Sequence, residues 1–457
     1  PIEALQSGWA EQDPMLWWKY VADAVPQAMK QAGLKADEVS AIGITYQMHG
    51  LVCVDQDMQP LRKSIIWCDS RAVAIGNNAT LSLGKENCLS HLLNFPGNFT
   101  ASKLAWVKEN EPDIYAKIAK IMLPGDFIAL MLTGDVTTTI TGLSEGMLWD
   151  YTEKAPASLL LDQYGIDQEL LAERVPHFGF QGALLTEVAS QFGLKAGIPV
   201  TYRAGDQPNN AFSLNVLNPG ELAATAGTSG VVYGVSDQIK YDPQSRVNTF
   251  VHVNHTDENP RLGVLLCING TGILNSWIKK QVAPELSYDQ VNQLAATVAP
   301  GSEGVTILPF GNGAERMLNN SEPGCVISGV NFNIHNNAHV LRAAQEGIAF
   351  AFYYGMKIME ETGIEPTVIR AGNANLFLSP IFRETLSTLS GAQIELYDTD
   401  GALGAARGAA IGAGLYTSFE AAFEGLEVLQ IVNPDPKNTE LLKAAYRRWE
   451  TLLTKNL

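Results

Sequence analysis

Between Arg203 and Gly230 the chain reads RAGDQPNNAFSLNVLNPGELAATAGTSG, and few folds accommodate that order of pieces. An apolar lead-in, Ile198 to Val200, runs into an Ala-Gly-Asp-Gln turn and a small-residue helix. Asn218-Pro219-Gly220 breaks the helix, and a second apolar run ends in Gly227-Thr228-Ser229-Gly230. A carboxylate at a strand end, with a helix N-terminus behind it, suits a site that handles anions and protons. A Gly-Thr-Ser-Gly turn offers bare backbone N–H groups and two hydroxyls, the donors a phosphate chain needs. Taken singly, each motif is also an ordinary turn, and Asp206 an ordinary helix cap. Together they raise phosphoryl transfer above other chemistries.

At 457 residues the chain exceeds one ordinary core, so two domains are expected, dividing at the Asn215–Gly220 break into 1–217 and 218–457. Hydrophobic residues make up 46% and charged residues 17%, a globular composition with ample core material. The formal charge of −17, from 48 acids against 31 bases, argues against nucleic acid or an anionic membrane as partner. It leaves ATP open, because a local site can be rich in N–H groups on an acidic protein. Cys53, Cys68, Cys88, Cys267 and Cys325 are odd in number and form no CxxC, a reduced and cytoplasmic pattern. No apolar run is long enough to span a bilayer, and no signal peptide opens the chain. Pro1 stands directly before an expected helix, which leads us to expect a missing N-terminal segment.

In chain order, Asp13-Pro14 starts a helix that should run to about Gln31 and end at Gly33. Apolar runs at Val39–Thr45, Leu51–Val54 and Ser64–Trp67 read as strands, with Met48-His49 and Trp67-Cys68-Asp69-Ser70-Arg71 at their ends. Helices are expected at 72–83, 102–109 and 127–132, and mixed short pieces over 156–195. Runs near 222–226, 230–235, 248–254 and 262–268 read as a second sheet. Helices are then expected at 273–283, 287–298, 338–362, 401–417 and 437–455, with a strand at 367–370 before Ala371-Gly372-Asn373.

Several chemistries are set aside. There is no GxxxxGK[ST] and no protein-kinase GxGxxG or HRD. Gly142-Leu143-Ser144-Glu145-Gly146 matches the hydrolase G-x-S-x-G, but the sequence after it makes a poor helix, so an incidental loop is preferred. His252 and His255, placed on a strand, would face opposite sides and could not share a metal. His335 and His339 could share a helix face, but without a third ligand a helix-start role is favoured. His49 sits where loops carry function, but on the residues alone it reads first as a satisfied core histidine.

With those residues in view, nearly the whole chain resembles the FGGY carbohydrate kinases, and within them the branch that phosphorylates D-xylulose to D-xylulose 5-phosphate. The resemblance rests on Gly43-Ile44-Thr45-Tyr46-Gln47-Met48-His49-Gly50-Leu51-Val52, on Trp67-Cys68-Asp69-Ser70-Arg71, on Gly205-Asp206 and on Gly227-Thr228-Ser229-Gly230. It implies an α/β, two-domain, actin-like (ribonuclease H-like) fold with a cleft between an N-terminal sugar domain and a C-terminal nucleotide domain. It implies transfer of the γ-phosphoryl of ATP, with Mg²⁺, to a sugar hydroxyl. Asp206 then takes the place of the general base. Met48, His49, Trp67, Asp206 and Gln207 take the sugar positions. Gly227, Thr228 and Ser229 match the phosphate loop, and Gly372 and Asn373, with Gly272 nearby, the adenosine loop. An aspartate of ordinary pKa, not buried among apolar groups, would be ionised and ready to accept the hydroxyl proton. The partners implied are a small sugar and ATP, with a homodimer left open.

The chain departs from the expected pattern in four places. Asp206 is followed by Gln207, where most members of the D-xylulose branch carry Asn. Its adenosine loop reads Ala371-Gly372-Asn373 rather than three glycines. Ala314-Glu315-Arg316-Met317-Leu318 stands for Gly-Glu-Arg-Thr-Pro. The Asp-x-Gly-(Thr/Ser) hairpin of the first phosphate loop is not within these residues, so low stability and weak ATP binding are expected of them alone. The alternatives are a kinase for another ketose, polyol or sugar acid of the family, or a catalytically dead sugar- or nucleotide-binding module.

Overall fold

The computed structural model describes residues 1–457. In chain order, the elements that position the sites are helix α1 (Pro14–Ala32), strand β1 (Ile42–Tyr46), α2 (Thr100–Asn110), α3 (Pro124–Thr133), α4 (Ile140–Glu145), β2 (Val200–Gly205) and α5 (Asp206–Ser213). They continue with β3 (Glu221–Ala226), β4 (Gly230–Ser236), β5 (Leu262–Ile268), α6 (Gly272–Val282), α7 (Asn337–Glu361), β6 (Val368–Gly372), α8 (Pro380–Ser390), β7 (Gln393–Tyr397), α9 (Gly401–Gly412), β8 (Val428–Val432) and α10 (Thr439–Asn456).

The chain divides into two compact units. The first holds Pro1–Ser213, Phe250–Thr256 and Asp400–Gly425, and the second holds Leu214–Thr249, Asp257–Thr399 and Leu426–Leu457. This differs from the expected pair of continuous domains, because α9 returns to the first unit from late in the sequence.

In the first unit α1 forms as its caps dictate. Asp13 accepts from the Met15 N–H at 2.9 Å, Pro14 takes the first position, and Gly33 closes the helix in the left-handed region at φ 68°. Strands β1 and β2 pair in parallel, with Gly205 opposite Tyr46. Every residue of β2 is buried, as a strand covered on both faces must be. Helix α9 lies directly on this pair. A Cβ on Gly43 would stand 2.1 Å from the Ala405 carbonyl, so only glycine permits the approach. Thr201 Oγ1 donates to the Ala409 carbonyl at 2.7 Å across the same contact. An apolar hollow of about 600 Å³ lies beside β1, walled by Trp17, Val21, Val25, Ile44, Phe192 and Leu194 among others.

The second unit is built on a seven-stranded mixed sheet that includes, in order, β5-β4-β3-β6-β7-β8. The β3–β6 and β6–β7 pairs are parallel, and the others are antiparallel. Helix α7 runs through the core of this unit with most of its residues buried, among them Ile348, Phe352 and Met356. Trp449 of α10 completes that core and donates its indole N–H to the Ile307 carbonyl at 3.0 Å. No helix is long and apolar enough to cross a membrane.

Candidate functional site

In the first unit β1 and β2 end side by side, so the residues that follow them start from the same edge. In parallel sheets ligands gather at the carboxyl ends of the strands. After β1 the chain turns through Met48 and His49, and His49 takes a left-handed φ of 62°. Three contacts hold it there. The Lys103 ammonium of α2 donates to the His49 carbonyl at 2.7 Å. His49 Nδ1 meets the Glu145 carbonyl at 2.9 Å and, facing an acceptor, is a nitrogen that carries a proton. The ring is also wedged against Phe99 and Phe250, with centroids at 4.9 and 5.4 Å.

After β2 comes Asp206. Its side chain is exposed to solvent, yet protein closely surrounds the carboxyl and raises its pKa above the usual aspartate range. Gln207 Nε2, at 3.2 Å, and the backbone of Met48 oppose that rise. The expectation of an ordinary, unburied aspartate is therefore corrected. The surface accessibility says the group can be reached, and the shift says its surroundings are less polar than water. Asp206 is also the first residue of α5 rather than a cap ahead of it.

Trp67 is 59% exposed. The turn after it is held by Asp69, which receives the Ala10 N–H at 2.5 Å and a two-pronged bond from Arg71. The Arg71 guanidinium lies 3.7 Å from the centre of the Trp9 ring. Asp69 and Arg71 are thus tied up in building the turn.

Two buried groups beside this edge were not singled out as site residues from the sequence. Lys103 is fully buried, and burial pulls its pKa down to about 7 against the opposing charges of Asp69 and Glu145. Glu145, at the end of α4, is buried with a carboxyl pushed well above the usual glutamate range by burial and then by the charge of Asp206. A lysine inside an otherwise apolar helical run, Ser102–Val107, was the available signal for the first. Glu145 was in view only as a letter of the hydrolase motif. That motif forms helix α4, started by Thr139, rather than a loop or a strained turn. Ser144 is buried, 2.5 Å from the Tyr151 hydroxyl, and accepts the Val251 N–H at 2.8 Å, so it is no nucleophile.

In the second unit a cavity of about 470 Å³ opens between the β3–β4 turn, the start of α6 and the segment after β6. Gly227, Thr228 and Gly272 line it together with Asn275, Tyr288 and Asn375. Ser229, Gly372 and Asn373 are not among its lining residues, whereas Asn375, two residues further on, is. The N–H groups of Gly272 and Ile273 are already bonded to the carbonyls of Gly227 and Thr228, at 2.9 and 3.2 Å. The start of α6 therefore anchors the loop. Gly272 is required for room, since a Cβ there would fall 2.1 Å from the Gly227 carbonyl. Glu315 braces the same corner by accepting the N–H groups of Asn269 and Gly270 at 3.0 Å.

The other histidines resolve differently from expectation. The strand expected over 248–254 stops at Val251, and His252–His255 form a turn instead. His335 and His339 do have a third neighbour, because the ligand atoms of Glu303, His335 and His339 lie within 4.8 Å of one another. Both Nδ1 atoms meet backbone N–H groups, of Asn331 and Asn336, and His339 Nδ1 also lies 3.0 Å from Asn336 Oδ1. His339 serves the start of α7 through its capping box with Asn336.

Two α/β units of this architecture form a two-domain, actin-like fold. The chain belongs to the FGGY family of carbohydrate kinases, whose N-terminal domain matches residues 1–213 and whose C-terminal domain matches residues 222–415. It is 27% identical to the xylulose kinase of Bacillus subtilis over 99% of this chain and 90% of that one. It is 30% identical to that of Escherichia coli over 88% of this chain and 81% of the relative. The fold matches the crystal structure of a xylulose kinase from Rhodospirillum rubrum at a TM-score of 0.89, with 24% identity over 100% and 92% of the two chains. A Plasmodium falciparum glycerol kinase solved with ADP matches at the same TM-score, with 21% identity over 100% and 92%.

Proposed function

We propose that this chain phosphorylates a ketose, D-xylulose, to D-xylulose 5-phosphate at the expense of MgATP. The observation that carries the proposal is the pairing of β1 with β2, which brings the Met48-His49 turn and the Asp206-Gln207 start of α5 to one strand edge. Asp206 is the base. It takes the proton of the attacking hydroxyl while the hydroxyl oxygen bonds to the γ-phosphorus, the bond from that phosphorus to the bridging oxygen breaks, and ADP leaves. His49, with Nδ1–H held by the Glu145 carbonyl, is a hydrogen-bonding partner for a sugar hydroxyl. Met48, Trp67 and Gln207 contribute the rest of the sugar surface.

In the second unit the Gly227–Ser229 turn supplies backbone N–H groups and the Thr228 and Ser229 hydroxyls to the phosphates. The cavity beside it takes the nucleoside, with Gly272 giving room and Asn375 on its wall, just after Gly372 and Asn373 in the chain. Xylulose kinases are prominent among the relatives, which supports the ketose over other acceptors of the family.

The test is ADP release, coupled to a reporter enzyme, with D-xylulose, L-xylulose, D-ribulose, glycerol and gluconate as acceptors. D-xylulose is expected to give the highest kcat/KM. Another acceptor favoured by ~10-fold or more replaces the ketose assignment and leaves the family unchanged.

A further inference from the structure

The helix Tyr288–Ala295 borders the cavity of the second unit, and two of its residues, Tyr288 and Asn292, line that cavity. Residues four apart share a helix face, so the two side chains reach the cavity from one side. The Tyr288 ring is half exposed, and the Lys279 ammonium stands over it at 5.6 Å from its centre.

Asn292 is oriented from behind. Ser379, at the start of α8, also lines the cavity. Its oxygen accepts the Phe382 N–H at 3.2 Å, and its own proton goes to Gln345 Oε1 at 2.7 Å. Gln345, from α7, is fully buried, and its Nε2 donates to Asn292 Oδ1 at 2.9 Å. Turning the Gln345 amide over would take the acceptor away from the Ser379 proton, so the chain of bonds has one direction. It ends at Asn292, whose oxygen is taken by Gln345. The Asn292 NH2 group is therefore the part left for the cavity, and no protein group bonds to it.

One helix face thus brings a half-exposed aromatic ring and an oriented neutral donor to the same cavity. A phosphate chain calls for the backbone N–H groups and hydroxyls of the Gly227–Ser229 turn, whereas a ring and an amide suit the face and the edge of a base. Adenine carries acceptor nitrogens on its ring, at N1, N3 and N7.

We propose that this face reads the nucleobase of the phosphoryl donor, with Tyr288 stacking on a purine and Asn292 Nδ2 donating to one of its ring nitrogens. Gln345 and Ser379 are positioning residues that keep the Asn292 amide turned the right way. The proposal rests on the kinase reading of the second unit and deepens it, because it names the part of the nucleotide this wall recognises.

The experiment measures nucleotide affinity by calorimetry in the absence of sugar. ATP is compared with its 1-deaza, 3-deaza and 7-deaza analogues, each of which replaces one acceptor nitrogen by C–H. The proteins are the native enzyme and Asn292→Asp, which keeps the oxygen Gln345 needs and exchanges only the NH2 group for an acceptor. One analogue is expected to bind the native enzyme ~10–100-fold more weakly than ATP, yet no more weakly than ATP in the aspartate variant. Equal affinities of all four nucleotides for the native enzyme overturn the amide contact. A penalty that persists in Asn292→Asp overturns it as well, because it then belongs to another donor. Tyr288→Leu should weaken all four by ~10-fold and Tyr288→Phe should restore them, and an unchanged affinity in Tyr288→Leu overturns the stacking.

If Asn292→Asp does not fold, Gln345→Glu presents an acceptor to Asn292 and turns its amide round. The same analogue should then lose its penalty, and a persistent penalty overturns the proposal. Should neither variant fold, the native series and the Tyr288 pair decide. Native enzyme without ATP affinity overturns the kinase reading and this proposal together, whereas ATP affinity without discrimination among the analogues overturns the proposal alone.

Discussion

Asp206 follows a fully buried strand, keeps its side chain in solvent, and still has its pKa raised by the protein around it. Asp206→Asn keeps that shape and loses the basicity. Turnover is expected to fall by ~10²–10⁴ while calorimetric sugar affinity stays within a few-fold, and retention of a tenth of the activity would contradict the role. Lys103 poses the opposite case, an amine forced inside to hold the His49 carbonyl. With a folded pKa of about 7 against 10.5 in the unfolded chain, it is the unfolded state that holds the extra proton between those values. Lys103 therefore makes stability rise as pH goes from about 7 to 10.5, and below 7 its full penalty remains. Lys103→Met should flatten that rise in denaturant titrations and leave stability at pH 7 no lower. It should raise sugar KM by ~10-fold, because the His49 turn loses a support. Asp206 and His49 could be picked out in the sequence because each follows an apolar run. Lys103 and Glu145 could not be picked out in that way, since their burial is a tertiary fact that no local pattern displays.

Elements whose ends are written locally were legible. Asp13, Pro14 and Gly33 bound α1 as read, and the runs near 222–226, 230–235 and 262–268 are strands β3, β4 and β5. The strands at Thr306–Phe310, Gln393–Tyr397 and Val428–Val432 and the helix α8 went unread. Strand β7 alternates half-buried and buried residues between a helix and a loop, and what makes it a strand is its parallel pairing with β6. Such pairing is non-local. The meeting of α6 with the β3–β4 turn is of the same kind, and it yields a sharp test. Gly272→Ala puts a methyl group 2.1 Å from the Gly227 carbonyl, so the turn must move. ATP KM should rise by ~10-fold or more with sugar KM unchanged, and an unaltered ATP KM would show that the turn does not serve the nucleotide.

For the whole molecule, the response to acid has an identifiable source in His177. It is buried, 5.1 Å centre-to-centre from the Tyr202 ring, and burial lowers its pKa to about 3. Unfolding frees it to titrate at its ordinary value of 6.5. The unfolded state thus binds the extra proton between about 6.5 and 3, and stability falls as pH drops through that window, by up to about 5 kcal/mol. Denaturant midpoints at pH 7 and pH 5 should therefore diverge, and His177→Phe should shrink the gap. An unchanged gap would move the cause elsewhere. The first unit also carries a constraint in time. Its β1–β2 pair is covered by α9, so the fold of residues 1–213 is incomplete until residue 412 exists. At ~5–20 residues per second, a ribosome needs on the order of 10–40 s to make the intervening chain. Deleting residues 400–425 should leave the first unit protease-sensitive, and a synthetic peptide of those residues should restore protection. During synthesis the earlier unit of this enzyme has to wait, with apolar strands uncovered, for a helix that is made only after most of the other unit.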